Sequence, residues 1–151
     1  MKISDLERIN RLTLSSLEDG AITQALHASR NVDAPRASKR DGVAIIATNN
    51  SIFVGASFDN HVFSTPYAGM YACIAMQEVG GKLQFHTLIC VMDELHVPCS
   101  LCFRNIQRWA VADTSKVKVI LISTKDPYTV FRCTFEDVLK TSNEFCLEHL
   151  A

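Results

Sequence analysis

Thr87-Leu88-Ile89-Cys90-Val91-Met92 is an uninterrupted apolar run of six residues. It is too short for an independent helix and carries no polar alternation. A strand of that kind is buried on both faces, so helices must cover the sheet from both sides. The rest of the chain supplies them. Val43 to Thr48 and Ser51 to Phe58 are β-prone runs around Asn49-Asn50, the pattern of a hairpin. Thr65-Pro66 opens a predicted helix that runs through Ile74 to Val79 and stops at Gly80-Gly81. Pro98 starts a second, through Cys102, Ile106 and Trp109. Val117 to Ile122 and Tyr128 to Cys133 read as strands joined at Asp126-Pro127. Phe135 to Leu139 and Glu144 to Leu150 read as closing helices. The expected order is α-β-β-α-β-α-β-β-α, a three-layer α/β/α fold on a mixed five-stranded sheet.

Ahead of this region, Ser4-Asp5-Leu6-Glu7 has the form of a capping box. Ile3, Leu6, Ile9, Leu14, Leu17 and Ile22 continue as a rough helical stripe that Gly20 interrupts, with further helix from Ala21 to Ser29. Asn31 to Asp41 is a polar, basic loop. The expectation is one domain over 1–151, with a helical extension and loop over 1–41 and the core over 42–140.

Composition narrows the function classes. With 48% apolar residues and a net charge of -1, disorder is excluded and no electrostatic case exists for nucleic acid or an anionic membrane. No run reaches the ~18 apolar residues of a membrane span. Acids stand where a signal peptide would carry its apolar block. The six cysteines, at 73, 90, 99, 102, 133 and 146, are therefore read as cytoplasmic thiols, most of them buried among apolar neighbours.

Cys99 and Cys102 stand apart. Val97-Pro98-Cys99-Ser100-Leu101-Cys102 follows an apolar strand and opens a helix, where free amides and partial positive charge stabilise thiolates. Structural thiols, half of a zinc site and a redox pair all accommodate that spacing.

At this point the chain resembles the zinc-dependent cytidine deaminases. Gly42-Val43-Ala44-Ile45-Ile46 and Ile52-Phe53-Val54-Gly55-Ala56 are similar to that family's first hairpin. Ser57-Phe58-Asp59-Asn60 takes the place of its ribose-binding Asn-x-Glu-Asn. Ala68-Gly69-Met70 falls where the family has Cys-Ala-Glu or His-Ala-Glu, and Phe135-Glu136-Asp137-Val138-Leu139 is similar to its closing segment. The likeness runs from about Gly42 to Lys140.

The resemblance implies a zinc ion held by three protein ligands, activating water for attack on C4 of a pyrimidine. Two ligands match Cys99 and Cys102. Read without gaps from Gly55, the third matches Ala68, which has no donor atom, and the proton-shuttling glutamate matches Met70. A three-residue shift would bring Tyr71 and Cys73 to those places instead. Ser57 and Asp59 stand at substrate-binding positions with shorter reach than the family's pair. Ala37-Ser38-Lys39-Arg40-Asp41 replaces the family's base-stacking stretch. His61, His86 and His96 are read as surface or edge residues.

The expectation is a catalytically inactive member acting through a nucleoside-like ligand or a protein, as a homodimer or homotetramer, with no catalytic residue and no cofactor. Its alternative is a working zinc hydrolase with a rearranged site resting on Cys99 and Cys102. A redox pair is the third option.

Overall fold

The structure, a computed structural model, describes residues 2–30, 41–56, 58–59, 64–65, 68–78, 84–96, 98, 100–110 and 113–140. Its elements are β1 (Glu7–Asn10), α1 (Ser16–Arg30), β2 (Gly42–Ala47), β3 (Ile52–Ala56), β4 (Phe58–Asp59), β5 (Ser64–Thr65), α2 (Ala68–Glu78), β6 (Phe85–Met92), α3 (Ser100–Trp109), β7 (Lys118–Ser123), β8 (Asp126–Thr134) and α4 (Phe135–Leu139). The main sheet has the order β1-β8-β7-β6-β2-β3, and β4 and β5 form a separate ribbon. Among the described strands of this sheet only β6 and β7 pair in parallel, and the other neighbouring pairs are antiparallel.

The two faces of the sheet are sorted residue by residue. Val43, Ile45, Leu88, Cys90, Val119 and Leu121 point to one side, where they meet Cys73 and Met76 of α2, Phe103 and Ile106 of α3, and Phe135 and Val138 of α4. Ala44, Ile46, Ile89, Val91, Ile120 and Ile122 point to the other, where Ala21, Ile22, Ala25 and Leu26 of α1 cover them. The period of two along each strand builds both layers at once. The three-layer architecture is as expected, and β6 is buried over all but one of its residues.

The sheet has six strands, not five. The additional one, β1, comes from the stretch read as the start of a helix. Glu7, Arg8, Ile9 and Asn10 pair with Arg132, Phe131, Val130 and Thr129 of β8. The three-residue spacing of Ile3, Leu6 and Ile9 is not a helical stripe. Ile3 and Leu6 pack against the α2–α3–α4 side and Ile9 against the α1 side, so the chain crosses the sheet edge between them.

The capping box at this end of the chain lies further on. Ser15 Oγ accepts from the Glu18 amide at 3.2 Å, and the Glu18 carboxylate accepts from the Ser15 amide and hydroxyl. Gly20 sits inside α1 and does not break it. Three other boundaries move. The β7–β8 turn is at Thr124-Lys125, with Asp126 and Pro127 inside β8, where a strand's first residues tolerate a missing N–H. Thr65 belongs to β5, and α2 starts at Ala68. Helix α3 starts at Ser100, two residues beyond the buried Pro98. The segment 144–150, Gly80-Gly81 and most of the basic loop lie outside the described residues.

Candidate functional site

Sheet register fixes where the site residues fall. Gly42 pairs with Ala56 at the end of β3 and with Val91 near the end of β6. The connections to α2 and α3 therefore leave the sheet at the same end of its strands. Both helices pack on the same face, since Cys73, Met76, Phe103 and Ile106 share one apolar cluster. Ala68 is the first residue of α2 and Met70 the third; Cys102 is the third residue of α3. The C-terminal ends of β6 and β7 are tied together at this end of the sheet. Thr124 Oγ1 donates to the Asp93 carboxylate at 2.7 Å, and Ser123 Oγ donates to the Asp93 carbonyl at 2.9 Å. Cys99, Ser57 and His61 lie outside the described residues. Asp59 is the second residue of β4.

A mixed sheet in this order, with α2 and α3 leaving one end of its strands and packing on one face, superimposes on solved structures. The cytidine deaminase from Burkholderia pseudomallei superimposes with a TM-score of 0.69 at 18% identity, over 85% of this chain and 99% of that one. This chain has the cytidine deaminase fold. The cytidine deaminase from Mycobacterium leprae matches with a TM-score of 0.60 at 19% identity, over 82% and 98% of the two chains. That from Mycobacterium tuberculosis matches at 0.57 and 15%, over 80% and 92%. No protein-family model and no curated protein matches the sequence.

Other side chains that could serve a cytidine deaminase fold as donors can be placed. Cys73 is fully buried in the apolar cluster. Burial pushes its thiol up to about 12, because a thiolate among hydrocarbon loses its hydration. His86 stands near the start of β6, about 20 Å along the strand from Met92. Its ring lies 2.8 Å from Thr87 Oγ1 and 3.1 Å from Asn50 Oδ1, which makes it a hydrogen-bonded residue at the start of the strand. His96 is half-buried between β6 and α3, its amide donating to Met92 Sδ at 3.3 Å. Glu78, the one carboxylate of α2, ends that helix, about 15 Å from Ala68. Among the described residues no group of three or more His, Cys, Asp or Glu is placed to hold a metal ion. Among them, too, no helix is long and apolar enough to cross a membrane.

Sequence reasoning missed Arg11, Thr23, His27, Arg30 and Tyr128, which line a cleft on the α1 side of the sheet. Thr23, His27 and Arg30 recur at helical spacing along α1, a signal the sequence holds. Their meeting with Arg11 and Tyr128 depends on β1, which pattern reading did not find.

Proposed function

We propose that this chain is a catalytically degenerate protein on the cytidine deaminase scaffold, working by binding rather than by turnover. The supporting observation is the start of α2. That helix begins Ala68-Gly69-Met70, where the resemblance calls for a metal donor and a proton-carrying glutamate. A methyl group donates to no metal, and a thioether neither accepts nor releases a proton at neutral pH. Loss of general acid–base help alone typically lowers a rate by about 10²–10⁴. A three-ligand zinc site of the kind the resemblance implies does not fit these residues. Cys73 offers no substitute, since its protonated thiol faces the core.

In this reading the whole chain acts as one unit, and the altered Ser57 and Asp59 positions take a nucleoside-like ligand without transforming it. Ile74 of α2 remains 41% exposed, which supports a homo-oligomeric contact on that helix. Cys73, Cys90 and Cys133 are buried and form no disulfide among the described residues, in keeping with a reducing, cytoplasmic setting.

The second reading is an active zinc-dependent deaminase. It rests on Cys99 and on Cys102, which enters the first turn of α3. Elemental analysis of the purified chain, with an absorbance assay of cytidine conversion, separates the two. The expected result is no stoichiometric zinc and no turnover. Zinc at one per chain that disappears in Cys99→Ala, together with release of ammonia from cytidine, overturns the proposal.

A further inference from the structure

The α1 face of the sheet carries a second concave site, on the opposite side from α2 and α3. It has a volume of about 300 Å³, at the lower end of the range for small-molecule sites. Thr23, Leu26, His27 and Arg30 reach it from one stripe of α1; Arg11 reaches it from the segment after β1, and Pro127 and Tyr128 from the start of β8.

Arg11 and Thr23 form a hydrogen-bonded frame, and Arg30 and Tyr128 stand on the rim. Arg11 is the centre of the frame. Its Nε donates to Asp19 at 2.7 Å, Nη2 to Thr23 Oγ1 at 2.9 Å and Nη1 to the Pro127 carbonyl at 3.4 Å. It thereby locks α1 to β8, with Asp19 balancing its charge. Arg30 is exposed on the last turn of α1 and forms no ion pair among the described residues. Cations are favoured at that end of a helix, but an exposed guanidinium keeps most of its charge available to a ligand. Tyr128 is 67% exposed and offers a flat ring at the cleft edge. Leu26 belongs to the apolar core beneath α1 and supplies a non-polar wall.

We propose that this cleft binds a small phosphate monoester carrying one planar ring, of nucleoside monophosphate size. The Arg30 guanidinium takes the phosphate, because its planar fork matches two oxyanion oxygens at once. The Tyr128 ring takes the planar group by stacking, and the size of the cleft suits a single ring.

The test is calorimetric titration of the full chain with uridine monophosphate, uridine and inorganic phosphate, repeated on Arg30→Ala and Tyr128→Ala. Both positions are exposed, so circular dichroism will show native folding. Expected are saturable binding of the monophosphate and weaker binding of phosphate. Monophosphate affinity should fall about tenfold or more in each variant, and phosphate affinity only in Arg30→Ala. Neither substitution touches the α2–α3 side, so a nucleoside bound there would be unaffected by them. No saturable binding at millimolar monophosphate, uridine binding that both variants weaken as much as they weaken the monophosphate's, or monophosphate binding undiminished in both variants overturns the proposal.

Discussion

The backbone of Gly42, at the start of β2, lies against the carbonyl oxygen of Ala25 in α1. A Cβ built on Gly42 would overlap that oxygen and crowd Ser29 Cβ at 3.1 Å. A backbone carbonyl inside a helix cannot rotate away, so α1 would have to lift from the sheet. Gly42→Ala should destabilise the chain by about 1–3 kcal/mol through overpacking. Gly20, within the same helix, has open space around its Cβ position, and Gly20→Ala should instead stabilise by about 0.5–1 kcal/mol. Urea midpoints of the two variants should move in opposite directions. Equal shifts would mean that α1 does not sit this close to β2.

Glu18 holds α1 in place through two partners. Partial burial by itself would raise its pKa, but hydrogen bonds from Ser15 and the Lys118 ammonium at 3.2 Å outweigh this and hold it below the ordinary 4.5. A depressed folded value means that Glu18 contributes stability above about pH 4.5, and that this is lost as pH falls through the folded value. Glu18→Gln should lower stability by about 1 kcal/mol at pH 7, with the gap closing as pH falls below the ordinary 4.5 and through the folded value. Denaturation across that pH range measures it; a gap that widens on acidification contradicts the assignment.

Arg132 of β8 grips both oxygens of Glu7 in β1 at 2.8–3.0 Å. Both side chains are over a third exposed, so solvent screens the pair. A double-mutant cycle should give a coupling of about 0.5–1 kcal/mol that shrinks in molar salt. Because β1 is a four-residue edge strand held on one side only, amide exchange at residues 7–10 should quicken first in Arg132→Ala. Uniform change across the sheet would show that β1 is not the element stabilised.

Cys73 and Cys133 each have thiols raised to about 12, both by burial, with Asp137 adding to the effect at Cys133. Both folded values lie above the ordinary 9.0. Their contribution to stability is therefore complete below pH 9 and declines from there toward pH 12, as thiolates form in the unfolded chain only. Alkylation of native protein at pH 8 should spare both residues, while denatured protein reacts at both. Mass spectrometry of the peptides reads the outcome, and rapid native labelling of Cys73 would place it outside the core.

The local pattern carried the central layers of this fold. Continuous apolar runs gave β6 and β7, Asn49-Asn50 gave the β2–β3 hairpin, in which Asn50 takes φ 67°, and Phe135 to Leu139 gave α4 at its observed bounds. These elements are decided by short-range chemistry: a run of branched and apolar side chains, a residue that tolerates left-handed backbone, and Thr134, whose side chain accepts from the Asp137 amide at the start of α4. The residue types at the start of α2 and α3 were likewise readable, because an alanine or a methionine has the same chemistry wherever it is placed.

Strand β1 was not readable. Glu7-Arg8-Ile9-Asn10 has one apolar residue and no alternation strong enough to mark a strand. It becomes one because β8, 119 residues later in the pairing of Asn10 with Thr129, offers an open edge and Arg132 a partner for Glu7. Arg11, Arg30 and Tyr128 meet for the same reason. Sequence alone determined which central segments must be buried and which chemical groups lie near the starts of α2 and α3. Tertiary structure decided which distant segments share an edge or a cleft, since pairing across such separations depends on backbone hydrogen bonds and shape, which no local pattern encodes.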